Sequence, residues 1–182
     1  VGTTTAGPTG AWTLDSTALG QGGHTATAVA TDAAGNDSPV SAAVDFTVDT
    51  VAPDAPVITA PADGGSTNDP TPTISGTAEP GASVEVFVDG ASVGTTTADG
   101  DGEFSVTPTT PLAEGPHTAT AVATDPAGNV SPTSDGVDFT VDTGVPAAPV
   151  LLTPADGSTT NDRTPTYTGT ADLATARRSP PR

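Results

Sequence analysis

The sequence repeats itself at an interval of 93 residues. Residues 24–50 read HTATAVATDAAGNDSPVSAAVDFTVDT, residues 117–143 read HTATAVATDPAGNVSPTSDGVDFTVDT, and 22 of the 27 positions are identical. The same interval relates residues 53–78 to residues 146–171 without a gap. Self-similarity at a fixed period indicates that one structural unit is used again and again along the chain. The fold must therefore be a unit of about 93 residues that stands beside copies of itself.

The repeat divides the chain into four segments. Residues 1–50 correspond to the last four strands of a unit, 51–143 form one complete unit, and 144–171 correspond to the first two strands of a third. Because the chain begins with Val inside a repeat, we expect it to be an excerpt of a longer protein. Residues 172–182 (DLATARRSPPR) break the pattern and carry three of the four basic residues, so we expect a disordered or artificial end there. The alternative is a basic tail that docks on the acidic repeats.

The complete unit has the pattern of short strands separated by turn residues. Val84, Val86 and Val88 alternate toward one face, and Asp89-Gly90 is a strong signal for a two-residue hairpin. Seven strands are predicted, at 55–59, 71–78, 83–89, 92–98, 103–107, 117–124 and about 137–141. Seven strands in this length are typical of an immunoglobulin-like sandwich. We therefore predict an all-β fold of tandem immunoglobulin-like β-sandwich repeats, with one complete and two partial units.

Composition excludes several classes of protein. The chain has a net charge of −18 and no Lys, whereas nucleic-acid binding needs a basic surface. It has no Cys for a disulfide scaffold or a zinc ribbon, and no apolar run long enough for membrane insertion. Its 40 Gly and Pro residues and its acidity also suit a disordered chain, but the regular β-branched alternation favours a folded one. Six aromatic residues in 182 imply a thin core.

Acidic turn residues are predicted to gather at one pole of the complete unit. If the first strand runs away from the incoming linker, the turns after the second, fourth and sixth strands all return to the linker end. Six oxygen-bearing side chains would then converge without a nearby Lys or Arg, and such a set suits Ca²⁺. The predicted metal ligands are Asp49, Glu79, Asp125 and Asn129, with Asp99 and Asp101 ranked below them.

The repeats rank these candidates. The four preferred positions recur in neighbouring units as Asp142, Asp172, Asp32 and Asn36, respectively, whereas Asp99 and Asp101 have no acidic counterpart in the first unit. Asp and Asn also recur in tight turns simply because their side chains bond their own backbone. Turn formation alone and structural Ca²⁺ binding both remain open at this point.

No catalytic constellation is indicated by the sequence. His24 and His117 are the only two histidines, and they occupy equivalent positions 93 residues apart. A periodic structural role is expected for both, because chemistry rarely recurs in each identical module. The sequence therefore predicts a protein that is not an enzyme.

Five motifs carry a resemblance to a known family. They are VDTVAPDAP (48–56), TPTISGTAEPG (71–81), VFVDG (86–90), GPHTATAVATDPAGNVS (115–131) and VDFTVDT (137–143). They resemble the bacterial Ig-like repeats of large repetitive surface adhesins and biofilm-associated proteins, and the resemblance covers roughly residues 1–171. It implies a β-sandwich outside the cell or on the bacterial surface, a stalk role, and calcium at some domain junctions.

The resemblance predicts a non-enzymatic stalk that spaces and projects a binding region. Its expected partners are the neighbouring repeats of the same chain and an unidentified host or cell-surface ligand, with no nucleic acid and no membrane insertion. The alternative is a carbohydrate- or protein-binding accessory module of a secreted enzyme. Glycan recognition usually needs exposed aromatic platforms, and only Phe87 of the complete unit is patterned outward.

Overall fold

A computed structural model describes residues 2–171, and its regular elements within that range are all β-strands. The strands are β1 (Gly22–Ala26), β2 (Val44–Val48), β3 (Val57–Ala60), β4 (Gly65–Thr67), β5 (Ile74–Thr77), β6 (Ser83–Val88), β7 (Ala91–Thr97), β8 (Glu103–Val106), β9 (Gly115–Thr124), β10 (Val137–Val141), β11 (Val150–Thr153) and β12 (Thr168–Thr170). Over the same residues there is no helix of the length and apolarity that crossing a membrane requires.

Strands β3 to β10 form two sheets. One has the strand order β4-β10-β9-β6-β7, and the other has the order β3-β5-β8. Seven of these eight strands were predicted from the period-2 pattern, and the structure confirms the all-β, immunoglobulin-like fold class. Asp89 and Gly90 both have positive φ, 52° and 78°, which is the backbone of the tight hairpin turn predicted between β6 and β7.

The core lies between the two sheets. Val84, Val86 and Val88 of β6 and alternate alanines of β9 are buried on one side. They share a single apolar cluster with the larger Ile74, Phe104 and Phe139. The small alanines allow the two sheets to approach, so the core can be filled with few aromatic residues. Among the described residues, every buried side-chain nitrogen and oxygen has a hydrogen-bond partner.

Strand β4 was not predicted, because it lies in the segment 61–70 that the sequence pattern assigns to a Pro/Gly/Asn loop. It pairs in parallel with β10, with Gly65 opposite Phe139 and Thr67 opposite Val141. Bonds from Gly64 N to Asp138 O (2.7 Å) and from Asp142 N to Thr67 O (2.8 Å) extend the pairing at both ends. Its partner is more than 70 residues away, so no local pattern indicates it.

Neither partial unit has enough strands to close a sandwich alone, so the sequence predicts progressive disorder outside residues 51–143, yet strand pairs form there. β1 pairs with β2 in the register that β9 and β10 use, so that His24 lies opposite Phe46 as His117 lies opposite Phe139. β11 pairs with β12 as β3 pairs with β5. Backbone ladders and the recurring turns suffice for these hairpins, but their side chains stay largely exposed.

Candidate functional site

Three turns of the complete unit meet at the pole where residues 49–56 arrive, which we call the junction pole. Ala78 N donates to Gly102 O at 2.9 Å and thereby joins the turn after β5 to the turn after β7. Ser83 pairs with Thr124, which brings the turn after β9 to the same end. Since β3 starts opposite the end of β5, the incoming linker arrives at this pole as well.

The turn after β9 is closed by an Asp–Asn pair. Asp125 Oδ1 accepts from the backbone N of Asn129 at 2.8 Å, and its Oδ2 accepts from Asn129 Nδ2 at 2.8 Å. Asn129 Nδ2 is the main reason that the pKa of Asp125 lies below its usual value, with backbone amides of the turn contributing further. Both oxygens of this carboxylate are thus used inside the turn.

Asn129 also reaches the linker. Its Nδ2 donates to the backbone carbonyl of Asp49 at 3.1 Å. The Asp49 carboxylate turns back toward its own unit, where Oδ1 accepts from Gln21 Nε2 at 2.6 Å and from Val51 N at 3.1 Å. The residues around Asp49 therefore link the end of one unit to the junction pole of the next.

A side-chain clasp fixes the second residue after each last strand. Gln21 Oε1 accepts from the backbone N of Thr50 at 2.9 Å and from its hydroxyl at 3.0 Å. At the equivalent positions, Glu114 accepts from the backbone N and the hydroxyl of Thr143. The Thr143 hydroxyl is the leading cause of a lowered pKa at Glu114. The start of the linker is therefore held to its preceding unit by the same kind of contact in both cases.

The repeat-equivalent residues form equivalent contacts where they are described. Asp32 accepts from Asn36 N and Nδ2, as Asp125 does from Asn129, and the Asn36 side chain likewise lowers the pKa of Asp32. Asp142 Oδ1 accepts from Gly144 N at 3.0 Å. Asp172 lies outside the described residues.

The remaining predicted ligands are turn residues in the structure. Asp99 Oδ1 accepts from the backbone N of Asp101 at 3.0 Å and of Glu103 at 2.8 Å, and the Asp101 and Glu79 side chains are exposed. Within residues 2–171, no three Asp, Glu or His side chains lie close enough together to hold a metal ion.

The sequence did not indicate the partner of His117, which lies at the pole opposite the junction. His117 is buried, and its Nδ1 donates to Asp89 Oδ2 at 2.7 Å while its Nε2 donates to Ala113 O at 2.8 Å. Asp89 also accepts from Thr118 N at 3.0 Å. A carbonyl and a carboxylate both accept, so the two ring nitrogens are best matched when both carry protons.

The electrostatics follow from this geometry. The pKa of His117 is raised, first by the Ala113 carbonyl and then by Asp89, and the pKa of Asp89 is lowered by His117 and the Thr118 amide. A recurring His followed by a Thr was the only signal in the sequence. The acid on the β6–β7 turn has no counterpart in residues 1–50 to reveal it.

These two sheets define a bacterial-type immunoglobulin-like module. Its core packs small alanines with larger side chains, and its junction turns recur in the neighbouring unit. A model of the bacterial Ig-like domain family matches residues 1–50 and 59–143, which is well over half of the chain. The chain belongs to that family, as its motifs predicted. No curated protein matches the sequence.

Several solved structures are similar to parts of the chain. The biofilm-associated protein BSP domain is 26% identical over 68% of this chain and 20% of that chain, with a TM-score of 0.41. A tetra-tandem repeat from the extending region of a large adhesion protein is 27% identical over 73% of this chain and 34% of that one, with a TM-score of 0.42. A bacterial ice-binding adhesin is 23% identical over 66% and 43%, with a TM-score of 0.32. The chain thus spans between a fifth and less than half of these structures.

Proposed function

We propose that this chain is a non-enzymatic repeat segment of a bacterial cell-surface or secreted adhesin, where it spaces and projects a binding region. Membership of the bacterial Ig-like family and the tandem 93-residue repeat support this proposal. A ten-residue strand such as β9 extends over about 30 Å, so each added unit lengthens the stalk by a distance of that order.

The observation that carries the proposal is the hydrogen bond from Asn129 Nδ2 to Asp49 O. A spacer must resist bending where its units meet. That bond ties the linker to the following unit, and the Gln21 clasp ties it to the preceding one. Pro53 and Pro56 are buried in the same stretch, so ring-restricted backbone packs against the module there.

The surface suits a role outside the cell among many copies. With 22 acidic residues against 4 basic ones, neighbouring stalks repel one another and remain soluble. The partners in this function are the adjacent repeats of the same chain, and the host or cell-surface ligand is bound by another part of the parent protein.

The stiffness of the junction can be measured directly because the chain has no native Cys. We would place spin labels at the exposed positions Thr27→Cys and Thr95→Cys, in the first and the complete unit, and record the distance distribution by pulsed electron paramagnetic resonance. A narrow distribution that broadens on Asn129→Ala is expected. A broad distribution in the unmodified junction would overturn the stiff-spacer proposal.

Structural Ca²⁺ at the junction is a separate part of the proposal. Its ligands would be Asp49, Glu79, Asp125 and Asn129, with Asp99 and Asp101 ranked lower. Two of these residues, Asn129 and Asp49, already lie in contact, whereas the turn bonds of Asp125 account for the recurring Asp–Asn pair without a cation.

Thermal unfolding with EDTA and with several millimolar Ca²⁺ separates these two explanations. An ion whose free concentration is 100 times its Kd adds about 2.7 kcal/mol to the free energy of unfolding, so bound Ca²⁺ would raise the melting temperature clearly. The matched control is Mg²⁺ at the same ionic strength, because Mg²⁺ demands a stricter octahedral shell. An unchanged melting temperature would remove calcium from the proposal and leave the spacer role intact.

A further inference from the structure

The two ring nitrogens of His117 face acceptors that belong to different parts of the complete unit. Nδ1 donates to Asp89 Oδ2, on the turn between β6 and β7, at 2.7 Å, and Nε2 donates to Ala113 O, in the segment before β9, at 2.8 Å. His117 is 9% exposed, and its ring lies against Phe139 with 5.6 Å between the ring centroids. Because an acceptor stands at each nitrogen, only the doubly protonated ring can satisfy both.

A neutral imidazole carries a single ring proton, so the two acceptors then compete for it. The carboxylate is the stronger acceptor, because hydrogen bonds to an ionised group are roughly twice as strong as bonds between neutral groups. Asp89 is also held in place, since its Oδ1 accepts from Thr118 N at 3.0 Å and its own N donates to Thr118 O at 2.9 Å. Loss of a proton should therefore leave the proton on Nδ1 and break the bond from Nε2 to Ala113.

The segment before β9 is fixed on both sides of Ala113. Leu112 N donates to Pro70 O at 2.8 Å, and β9 begins at Gly115. Between these points lie only Ala113 and Glu114, and both are exposed. The bond from the imidazole holds this short stretch from the inside. When that bond breaks, the exposed Ala113 carbonyl can bond water instead, and the stretch becomes free to move.

Glu114 is the residue that clasps the start of the outgoing linker. Its Oε1 accepts from Thr143 N at 2.9 Å and from the Thr143 hydroxyl, so both bonds depend on where the stretch that carries Glu114 lies. We propose that the protonated ring of His117 holds Ala113 and the adjacent clasp in place, and that deprotonation releases the outgoing linker. This latch adds regulation to the spacer role and rests on that role for its biological meaning.

The first unit has the same clasp beside a histidine in different surroundings. His24 Nε2 donates to Gly20 O at 2.7 Å, and the adjacent Gln21 accepts from the backbone N and the hydroxyl of Thr50. Within residues 2–171 His24 bonds no acid. A neutral His24 can therefore keep its one proton on Nε2, and the Thr50 clasp should not respond to pH. The response at Thr143 requires competition from a carboxylate.

Acids are the charged groups that surround His117 among the described residues. Besides Asp89, Asp138 of β10 lines the same cleft and accepts from the Thr118 hydroxyl at 2.7 Å. Asp63, which precedes β4, accepts from Asp138 N at 3.0 Å, and Glu114 lies three residues before the histidine. Ordinary carboxyl groups titrate below about pH 5, so the imidazole is the one of these groups that changes charge between pH 5.5 and pH 8.5.

The direction of the response follows from the two bonds of the ring. The Ala113 carbonyl and then Asp89 raise the pKa of His117 above its ordinary value of 6.5. Both bonds are present below that value, and the bond to Ala113 is lost as pH rises through the folded-state pKa. The clasp on the outgoing linker is therefore closed at acidic pH and open at alkaline pH.

The test uses the whole chain, isotope-labelled at the Thr γ-methyl groups, whose NMR relaxation measures order at any pH. At pH 5.5 the methyl groups of Thr50 and Thr143 should both be ordered. At pH 8.5 the order parameter of Thr143 should fall by about a third, which is the difference between a rigid and a flexible site, while that of Thr50 should not change. The fall should follow the titration of His117, measured by the chemical shifts of its ring.

Two substitutions isolate the latch. Asp89→Asn removes the competing carboxylate but keeps an acceptor for Thr118 N, so Thr143 should remain ordered at both pH values. His117→Gln removes the titrating ring, so the order of Thr143 should be the same at pH 5.5 and pH 8.5. In the unmodified chain at pH 8.5, nitrogen chemical shifts should place the remaining ring proton on Nδ1. Thermal unfolding at pH 5.5 checks that each variant is folded.

Three results would each overturn the latch: constant order at Thr143 between pH 5.5 and pH 8.5, an equal fall in Asp89→Asn, or a neutral ring with its proton on Nε2. Failure of the spacer role would look different. A broad distance distribution between the labels at Thr27→Cys and Thr95→Cys at pH 5.5 would overturn the spacer role itself. A narrow distribution together with an unresponsive Thr143 would overturn the latch alone.

Discussion

Asn129 donates from its side-chain amide to the backbone carbonyl of Asp49 across 3.1 Å, although the two residues are 80 positions apart in the sequence. The same amide also donates to Asp125 Oδ2. One side chain therefore closes the turn after β9 and holds the linker that enters the module. In a tandem protein, the local turn and the junction are stabilised by the same residue.

Replacement of Asn129 by Ala should reduce stability by more than the equivalent change in the first unit. Asn129→Ala removes two side-chain hydrogen bonds, and we expect a loss of about 1–2 kcal/mol in urea unfolding of the complete unit. Asn36→Ala is the matched control, since among the described residues Asn36 Nδ2 donates to Asp32 alone. Amide exchange at residues 49–52 should accelerate in Asn129→Ala only. Equal exchange in both variants would contradict a junction role for Asn129.

The His117–Asp89 pair should make the stability of the module depend on pH. A raised histidine pKa contributes stability that is present below the unfolded value of about 6.5 and is lost as pH rises through the folded value. A lowered Asp89 pKa contributes stability that is present above about 3.9 and is lost as pH falls through the folded value. The contribution of the pair is therefore greatest between about pH 4 and 6.5.

Urea unfolding at pH 5.5 and pH 8.5 measures this effect. The stability difference between the unmodified chain and His117→Gln should be larger at pH 5.5. Asp89→Asn, which can keep the turn and the bond from Thr118 N, should reduce the pH dependence without abolishing it, because the Ala113 carbonyl still raises the pKa of His117. His24→Gln is the control, because within residues 2–171 His24 bonds the Gly20 carbonyl and no acid. A pH dependence of equal size in Asp89→Asn would show that another group is responsible.

Gly76 allows two strands to approach, and any side chain there should disrupt the sheet. A Cβ on Gly76 would lie 2.0 Å from Val57 O and 2.9 Å from Ile58 Cα. Because both are backbone atoms, Gly76→Ala should cost at least about 3 kcal/mol, as measured by thermal or urea unfolding. Gly100→Ala is the control, because a Cβ there meets nothing within 4 Å, and it should change stability by less than about 0.5 kcal/mol. Near-equal stability of the two variants would contradict the close approach.

The strands could be predicted because their signals are local. Alternation of Val84, Val86 and Val88 determines which side of β6 is buried, and the Asp89-Gly90 dipeptide indicates its hairpin within two residues. The repeat supplied the rest of the architecture, because one module could be compared with parts of two others.

Contacts between distant residues could not be predicted in this way. β4 has no strand pattern of its own and exists through parallel pairing with β10. The His117–Asp89 bond joins β9 to the β6–β7 turn, and the Asn129–Asp49 bond joins a turn to a linker. The acidic turns were placed at one pole correctly by strand direction alone, but direction does not show where a carboxylate points. Asp125 and Asp99 point into their own turns, where backbone amides are the nearest donors.

Comparing Phe46 with Phe139 tests how much the stability of the unit 51–143 depends on side chains buried between its own two sheets. They are equivalent residues on equivalent strands, and each ring lies against a histidine at about the same distance, 5.7 and 5.6 Å between centroids. Phe139 is buried between two sheets and Phe46 is not. Phe139→Ala should therefore cost about 3–5 kcal/mol through lost burial and the cavity left behind. Phe46→Ala should leave unfolding of the complete unit within about 0.5 kcal/mol of the unmodified value. Differential scanning calorimetry measures both losses. A comparable loss in Phe46→Ala would mean that the first unit supports the second through its own apolar face.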